Sequence, residues 1–297
     1  MMQEFIQQLA NALSLGGTYA LLALGLAIVY SVLGMINFAH GTLMTIAGYV
    51  MFFAAAALLP FPVVAVMAVA GATVAAVVME RVAFRPLRGA GPSALLLSNF
   101  AVSLILEIVF VNAISARPKA VPIPSGLAGS FSIVGITLGV TQLLSIVLTV
   151  ILLIALNAFL DRTYLGLSIK GAAEDFDATR LMGISADAVI SLAFAVSGFL
   201  AGAAAVLWVA QRGSVDPLMG ILPTIKAFIA ATIGGLGSLS GAVAGGFLLG
   251  VIEVLLQAFL PSSLLPYRDA FALSIVLMVL LVRPQGLLIF KAEVNRV

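Results

Sequence analysis

The segment Leu21-Leu22-Ala23-Leu24-Gly25-Leu26-Ala27-Ile28-Val29-Tyr30-Ser31-Val32-Leu33-Gly34-Met35-Ile36-Asn37-Phe38-Ala39-His40-Gly41 decides the fold. It lies within residues 5–79, a stretch of 75 residues without one Asp, Glu, Lys or Arg. A helix crosses a bilayer in about 20 residues, so this stretch alone holds three crossings. Uncharged runs recur at 120–160, 188–211 and 227–252. The chain is 63% hydrophobic and 9% charged, whereas a soluble domain carries about 25% charged residues. The reading is an all-α polytopic transmembrane helix bundle of eight or nine spans, forming one membrane domain over residues 1–297. Breakers place the spans near 12–33, 38–59, 61–79, 93–114, 138–160 and 188–211, two within 218–260, and one at 264–282. Segments 31–41 and 234–241 are broken by glycine and can be spans or re-entrant.

Basic residues gather in cytoplasmic loops. Arg81, Arg85, Arg88, Arg162, Lys170, Arg180, Arg283, Lys291 and Arg296 fall on one side under this division, nine of the fourteen. Arg117, Lys119, Arg212 and Arg268 fall on the other, and Lys226 is ambiguous near a span end. The C-terminus is then cytoplasmic, and three full spans before Arg81 put the N-terminus outside; a re-entrant second segment reverses that end. The N-terminus reads as a retained span rather than a cleaved leader. The loop from 117 to 129, with Pro118, Pro122 and Pro124, reads as irregular surface. Net charge is +2 without a basic block, which gives no reason to expect nucleic acid. Cysteine is absent, excluding disulfides and thiol chemistry. There is no G-x-x-x-x-G-K-[ST] phosphate loop, and Gly237-Ser238-Leu239-Ser240-Gly241 fails the G-x-S-x-G nucleophile pattern at Leu239.

The longest polar segment is 161–187. Its second part reads as one short helix, with Glu174, Asp175 and Asp177 in the first turns where the helix dipole favours acids. Arg180 stands near its end and Gly183 just beyond it. Such a helix either lies on lipid headgroups or docks a cytoplasmic partner. Glycines 198 and 202, 237, 241 and 245, and 246 and 250 repeat every four residues, the spacing of close helix crossings.

Four segments, in order, resemble the permease subunits of branched-chain amino acid ABC importers. They are Gly25 through Gly41 quoted above, Ala172-Ala173-Glu174-Asp175 with Arg180-Leu181-Met182-Gly183-Ile184, Lys226-Ala227-Phe228 leading into Gly234-Gly235-Leu236-Gly237-Ser238, and Val282-Arg283-Pro284-Gln285-Gly286-Leu287. The resemblance spans the whole chain and also touches amide and urea permeases. It implies a permease that forms the translocation path in the bacterial or archaeal inner membrane and is not itself an enzyme. The implied partners are a sister permease, two cytoplasmic ATPases and an extracytoplasmic binding protein. No cofactor is expected, ATP acting through the ATPase chains. The coupling loop is 161–187, with Ala172, Asp175, Arg180, Leu181 and Gly183 as its matching residues. Candidates for the translocation path are Asn37, His40, Gly41, Glu107, Gly234 and Gly235.

Each candidate has a plainer alternative. Asn37 and His40 form either a broken helix on the path or a turn at the headgroups. A charge at mid-bilayer costs about 2.5–3.5 kcal/mol, so Glu107 and Glu253 must find partners or face the bundle. Glu107 reads as a hydrogen-bonded or protonated carboxyl, or as a path residue; Glu253 reads as structural. An ion-coupled carrier needs paired charges along a central path, for which Glu107 is the candidate. An intramembrane enzyme needs a dyad, and the chain has one histidine.

Overall fold

A computed structural model of the chain describes residues 2–133, 136–283 and 286. Lys291, Arg296 and positions 284, 285 and 287 of the last motif lie outside the described residues. In lipid every backbone N–H and C=O must be satisfied within the segment, and the uncharged runs accordingly form helices. α1 (Met2–Leu33) begins well before the expected position 12. It stops at Gly34, whose φ of +68° admits the left-handed turn and whose N–H donates to Tyr30 O at 2.8 Å. After six non-helical residues α2 (His40–Ala56) follows, and then α3 (Phe61–Met79), which has a proline in its first turn. α3 continues through a π turn (Glu80–Phe84) and a 3-10 turn (Arg85–Leu87). α4 (Pro92–Ala113) completes the first half.

The proline-bearing loop is more ordered than its composition predicts. It carries β1 (Lys119–Ala120), α5 (Ser125–Ala128) and a hairpin of β2 (Ser130–Ile133) with β3 (Ile136–Gly139). The prolines restrict it, and Val121, buried, ties it down by donating its N–H to Gly213 O at 2.9 Å. α6 (Val140–Arg162) then leads into α7 (Tyr164–Glu174) and α8 (Phe176–Leu181). α9 (Ala186–Arg212) ends at Gly213, and β4 (Ser214–Val215) pairs antiparallel with β1. α10 (Ile221–Gly234), α11 (Leu239–Phe259) and α12 (Arg268–Val282) close the chain.

Among the described residues, seven helices are long and apolar enough to cross a membrane, and α2 and α10 are shorter apolar helices. These nine match the nine segments read from sequence. α1 and α9 are largely enclosed, while α3, α4, α6 and α12 turn most of their surface outward. Lipid gives no hydrophobic drive between helices, so small residues that admit close backbones hold them together. A Cβ on Gly198 would lie 2.5 Å from Ala76 Cβ, and one on Gly202 would lie 2.8 Å from Val69 Cα, sealing α9 to α3. Gly246 and Gly250 seat α11 on Ala20 and Gly16 of α1. Gly245 and Gly241 seat it on Ala230 and Gly234 of α10, and Gly220 meets Gly41. The four-residue glycine spacing is a set of helix crossings except at Gly237, which precedes α11 with φ +95° and nothing within 4 Å of its Cβ position.

The loops sort into two ends. Arg85 and Arg88 both pair with Asp187, joining the end of α3 to the start of α9. At the opposite end Thr137 N donates to Gln7 Oε1 at 3.0 Å, Gln142 Nε2 to Asn11 Oδ1 at 2.7 Å, and Gln211 Nε2 to Ser145 Oγ at 2.8 Å. The start of α1 therefore lies with the proline-bearing loop, as three crossings before Arg81 require. Gly286 packs against Gly235 and Ile233, returning the chain to the Arg85 end.

The short helix expected in the second part of 161–187 is α8, and the first part forms a helix of its own, α7. Asp175 is extended (φ −148°, ψ 104°), and its carboxylate caps α8 by accepting Ala178 N–H at 2.9 Å. It is an N-cap rather than a first-turn residue, and Glu174 ends α7 instead of starting the next helix. A side-chain acceptor bound to its own backbone competes with helix continuation, and here the cap wins. Thr163 caps α7 in the same way, accepting Gly166 N–H at 3.0 Å.

Candidate functional site

Of the non-helical residues 34–39, Met35, Asn37 and Ala39 are buried, Ile36 and Phe38 half-buried and Gly34 exposed, with α4 and α10 packed against them. The Phe38 ring stacks on Phe100 of α4 with centroids 5.0 Å apart and tilts against Phe228 of α10 at 5.8 Å. Asn99 Nδ2 donates to Ile36 O at 3.1 Å. His40 is fully buried; its Nδ1 shares a hydrogen bond of 3.0 Å with Ser197 Oγ of α9. A Cβ on Gly25 would meet the same imidazole at 2.7 Å, so the ring bridges α1, α2 and α9. Gly41 is held against Gly220 O and Thr224 Oγ1, each 2.7 Å from where its Cβ would stand.

Asn37 is also fully buried, and its carbonyl accepts His40 N–H at 3.2 Å. Both atoms of its side-chain amide lack a hydrogen-bond partner among the described residues. The same holds for His40 Nε2, Asn99 Oδ1 and Thr224 Oγ1. A buried polar atom left unpaired costs about 1–3 kcal/mol. The turn and its neighbours therefore concentrate unused buried donors and acceptors.

Three other candidates are not drawn into this cluster. Glu107 is half-buried on α4 and accepts Ser103 Oγ of its own helix at 3.2 Å. Gly234 meets Gly241, and Gly235, at φ +105°, lies against Gly286. They anchor the far end of α10, while its near end meets the Asn37 turn through Gly220, Thr224 and Phe228.

At the Arg85 end, α7 and α8 form a ledge. Ala172 is buried, and Thr179, also buried, donates to Asp175 O at 2.8 Å. Arg180 and Asp177 are 3.8 Å apart and exposed, which contributes little on a surface. Gly183 closes α8 with φ +83°, and its N–H donates to Arg180 O at 3.0 Å. Leu181 is 89% exposed and Met182 82% exposed. Tyr164, Leu165 and Leu167 of α7 are exposed as well, so the ledge presents apolar side chains outside the core.

Two charge clusters escape a reading of the sequence. Glu253 of α11 is buried, accepts Tyr19 O–H at 3.1 Å and lies 2.8 Å from Lys226 Nζ. Lys226, ambiguous in sequence, is an interior residue of α10, 3.1 Å from Asp269 Oδ1 of α12. The structural reading of Glu253 thus acquires its partners. The available signal is two lone charges of opposite sign in otherwise apolar helices. The second cluster surrounds Glu80, whose carboxylate is fully buried and paired with Arg88.

The chain matches the model of the family described as branched-chain amino acid transport system / permease component over residues 8–282. It is 37% identical to the high-affinity branched-chain amino acid transport system permease protein BraD of Pseudomonas aeruginosa, covering 99% of this chain and 98% of that one. It is 35% identical to the corresponding Escherichia coli protein LivH, again over 99% and 98%. The probable permease LivH of Methanocaldococcus jannaschii is 30% identical over 94% and 91%. Full-length similarity of this kind, on a bundle of apolar helices, establishes that the chain belongs to the branched-chain amino acid transport permease family.

Proposed function

We propose that this chain carries branched-chain amino acids across the cytoplasmic membrane as one permease subunit of a binding-protein-dependent ABC importer. The supporting observation is the α7–α8 ledge, an ordered element that exposes apolar side chains, Leu181 and Met182 above all, at the foot of the enclosed helix α9. The ledge is the docking surface for a cytoplasmic ATPase, and the Arg85 end is the cytoplasmic end. ATP is hydrolysed on the partner chains, a homologous sister permease completes the path, and a binding protein delivers the solute at the Gln7 end. A branched-chain amino acid carries an ammonium and a carboxylate besides its alkyl group. The unused amide of Asn37, with Asn99 bound to Ile36 and Thr224 against Gly41, offers donors and acceptors for those groups when the bundle opens.

A cysteine at Ala178, in a chain with none of its own, is expected to react with a membrane-impermeant reagent only from the cytoplasmic side. It is also expected to cross-link to an ATPase subunit; labelling from outside intact cells would overturn the orientation and the docking surface together. Asn37→Leu keeps roughly the same volume and removes the amide. Uptake is expected to fall about tenfold or more, the loss of one or two hydrogen bonds to charged groups, while the complex still assembles. Wild-type uptake by Asn37→Leu/His40→Leu would make the segment a packing turn.

A second reading, an ion-coupled carrier, draws on the Lys226–Glu253–Asp269 cluster within the helices. Uptake that follows an imposed ion gradient without ATP would favour it.

A further inference from the structure

The end of α3 and the start of α9 are joined by five side chains from positions about a hundred residues apart. Glu80 opens the π turn, and its carboxylate is fully buried. One oxygen pairs with Arg88 and the other accepts Ser191 Oγ at 2.6 Å. Arg88 also holds Asp187 Oδ1 at 2.6 Å, and Arg85 pairs with Asp187 Oδ2. Two carboxylates and two guanidinium groups make the cluster neutral. Breaking such a buried pair is costly, yet replacing it with well-packed apolar side chains is often neutral or stabilising. Stability therefore does not by itself account for a cluster in this position.

Its position gives another reason. The α7–α8 ledge runs directly into Ser185, the N-cap of α9, and Asp187 is two residues further on. Displacement of the ledge reaches the bundle through this first turn of α9, besides α6 and α1, against which α7 packs. The facing part of α3 is a π turn followed by a 3-10 turn, weaker backbone geometries that often mark hinges. Left alone, those turns would yield. The cluster pins them to α9, above which Gly198 and Gly202 already lock α9 to Ala76, Ala72 and Val69 of α3. Further along α9, Ser197 holds His40 beside the Asn37 turn.

We propose that the Glu80–Arg88–Asp187–Arg85 cluster, with Ser191, is a clamp that makes α3 and α9 move as one body, delivering motion of the ledge to the Asn37 turn. Glu80 is the principal positioning residue, because its charge is enclosed and directional. The Arg85–Asp187 contact is about half exposed on both sides, and exposed pairs contribute little. The proposal rests on the reading of the ledge as the ATPase docking surface.

The test uses the complete complex in proteoliposomes, with radiolabelled leucine as the probe. Leucine transported per ATP hydrolysed is measured for Glu80→Gln, alongside cross-linking of a cysteine at Ala178 to the ATPase. Gln keeps the size of Glu80 and can still accept from Ser191. The expected result is an intact cross-link, continued ATP hydrolysis, and a transport ratio lowered about fivefold or more, within the range for coupling residues. Asp187→Asn is expected to lower it less. A wild-type ratio in assembled Glu80→Gln complex would overturn the clamp while leaving the docking surface intact. Absence of the cross-link in the otherwise wild-type complex would remove the docking surface and the clamp with it. If Glu80→Gln does not assemble, Ser191→Ala removes a single hydroxyl, and a wild-type ratio there equally overturns the proposal.

Discussion

Glu253→Ala is expected to destabilise the protein by about 3 kcal/mol, the lower end of the range for removing one partner of a buried ion pair. The lower end applies because Lys226 keeps Asp269, 3.1 Å from its Nζ. The loss has two parts. Lys226, itself mostly buried, loses the carboxylate 2.8 Å away, and Tyr19 O–H loses its acceptor. α1, α10, α11 and α12 all contribute to this cluster, so their common packing weakens at once. The double change Lys226→Met/Glu253→Leu is expected to recover part of that stability, since an apolar pair of similar volume leaves no buried charge unpaired; Asp269 keeps Arg268 at 3.5 Å, while Tyr19 O–H still lacks its acceptor. Thermal unfolding in detergent distinguishes the cases. A single variant that melts with the wild type would show that the pair is not enclosed, and a double variant worse than the single would show that the charges themselves hold the helices.

Gly246→Val is expected to abolish folded protein altogether. A Cβ at this position would overlap Ala20 N and Cα of α1. Overpacking a core usually costs about 1–3 kcal/mol because side chains can rotate away. Here the obstacle is helix backbone, which cannot, and Gly250 is pressed against Gly16 one turn on. α1 and α11 must therefore separate along their whole crossing. Gly89→Ala is the matched control, with nothing within 4 Å of its Cβ position. Monodisperse yield on size exclusion in detergent is the readout. Normal yield for Gly246→Val would mean that α1 and α11 do not pack this closely.

The helices were legible in the sequence because a bilayer imposes a simple rule, about 20 uncharged residues per crossing, and residues 5–79 obey it visibly. The glycine crossings were legible for the same local reason, since a four-residue repeat marks one helix face. What lay hidden depends on partners distant in the chain. Nothing near His40 announces Ser197, 157 residues later, and nothing near Glu80 announces Ser191. Glu80 did leave a trace, as an acid directly after 75 uncharged residues with arginines five and eight positions on. The break at Asp175 was misread because an acid that caps a helix and an acid in its first turn look alike in sequence. Only the backbone at Asp175, extended rather than helical, tells them apart. The proline-bearing loop owes its order to β4, some 95 residues away.

The most direct measurement is leucine uptake into proteoliposomes that contain this permease with its sister permease and ATPase subunits, with binding protein added at the Gln7 face. The expected result is uptake that requires both ATP and the binding protein, is competed by isoleucine and valine, and does not respond to an imposed ion gradient. Uptake driven by an ion gradient without ATP, or ATP-driven uptake that branched-chain amino acids fail to compete, would contradict the assignment.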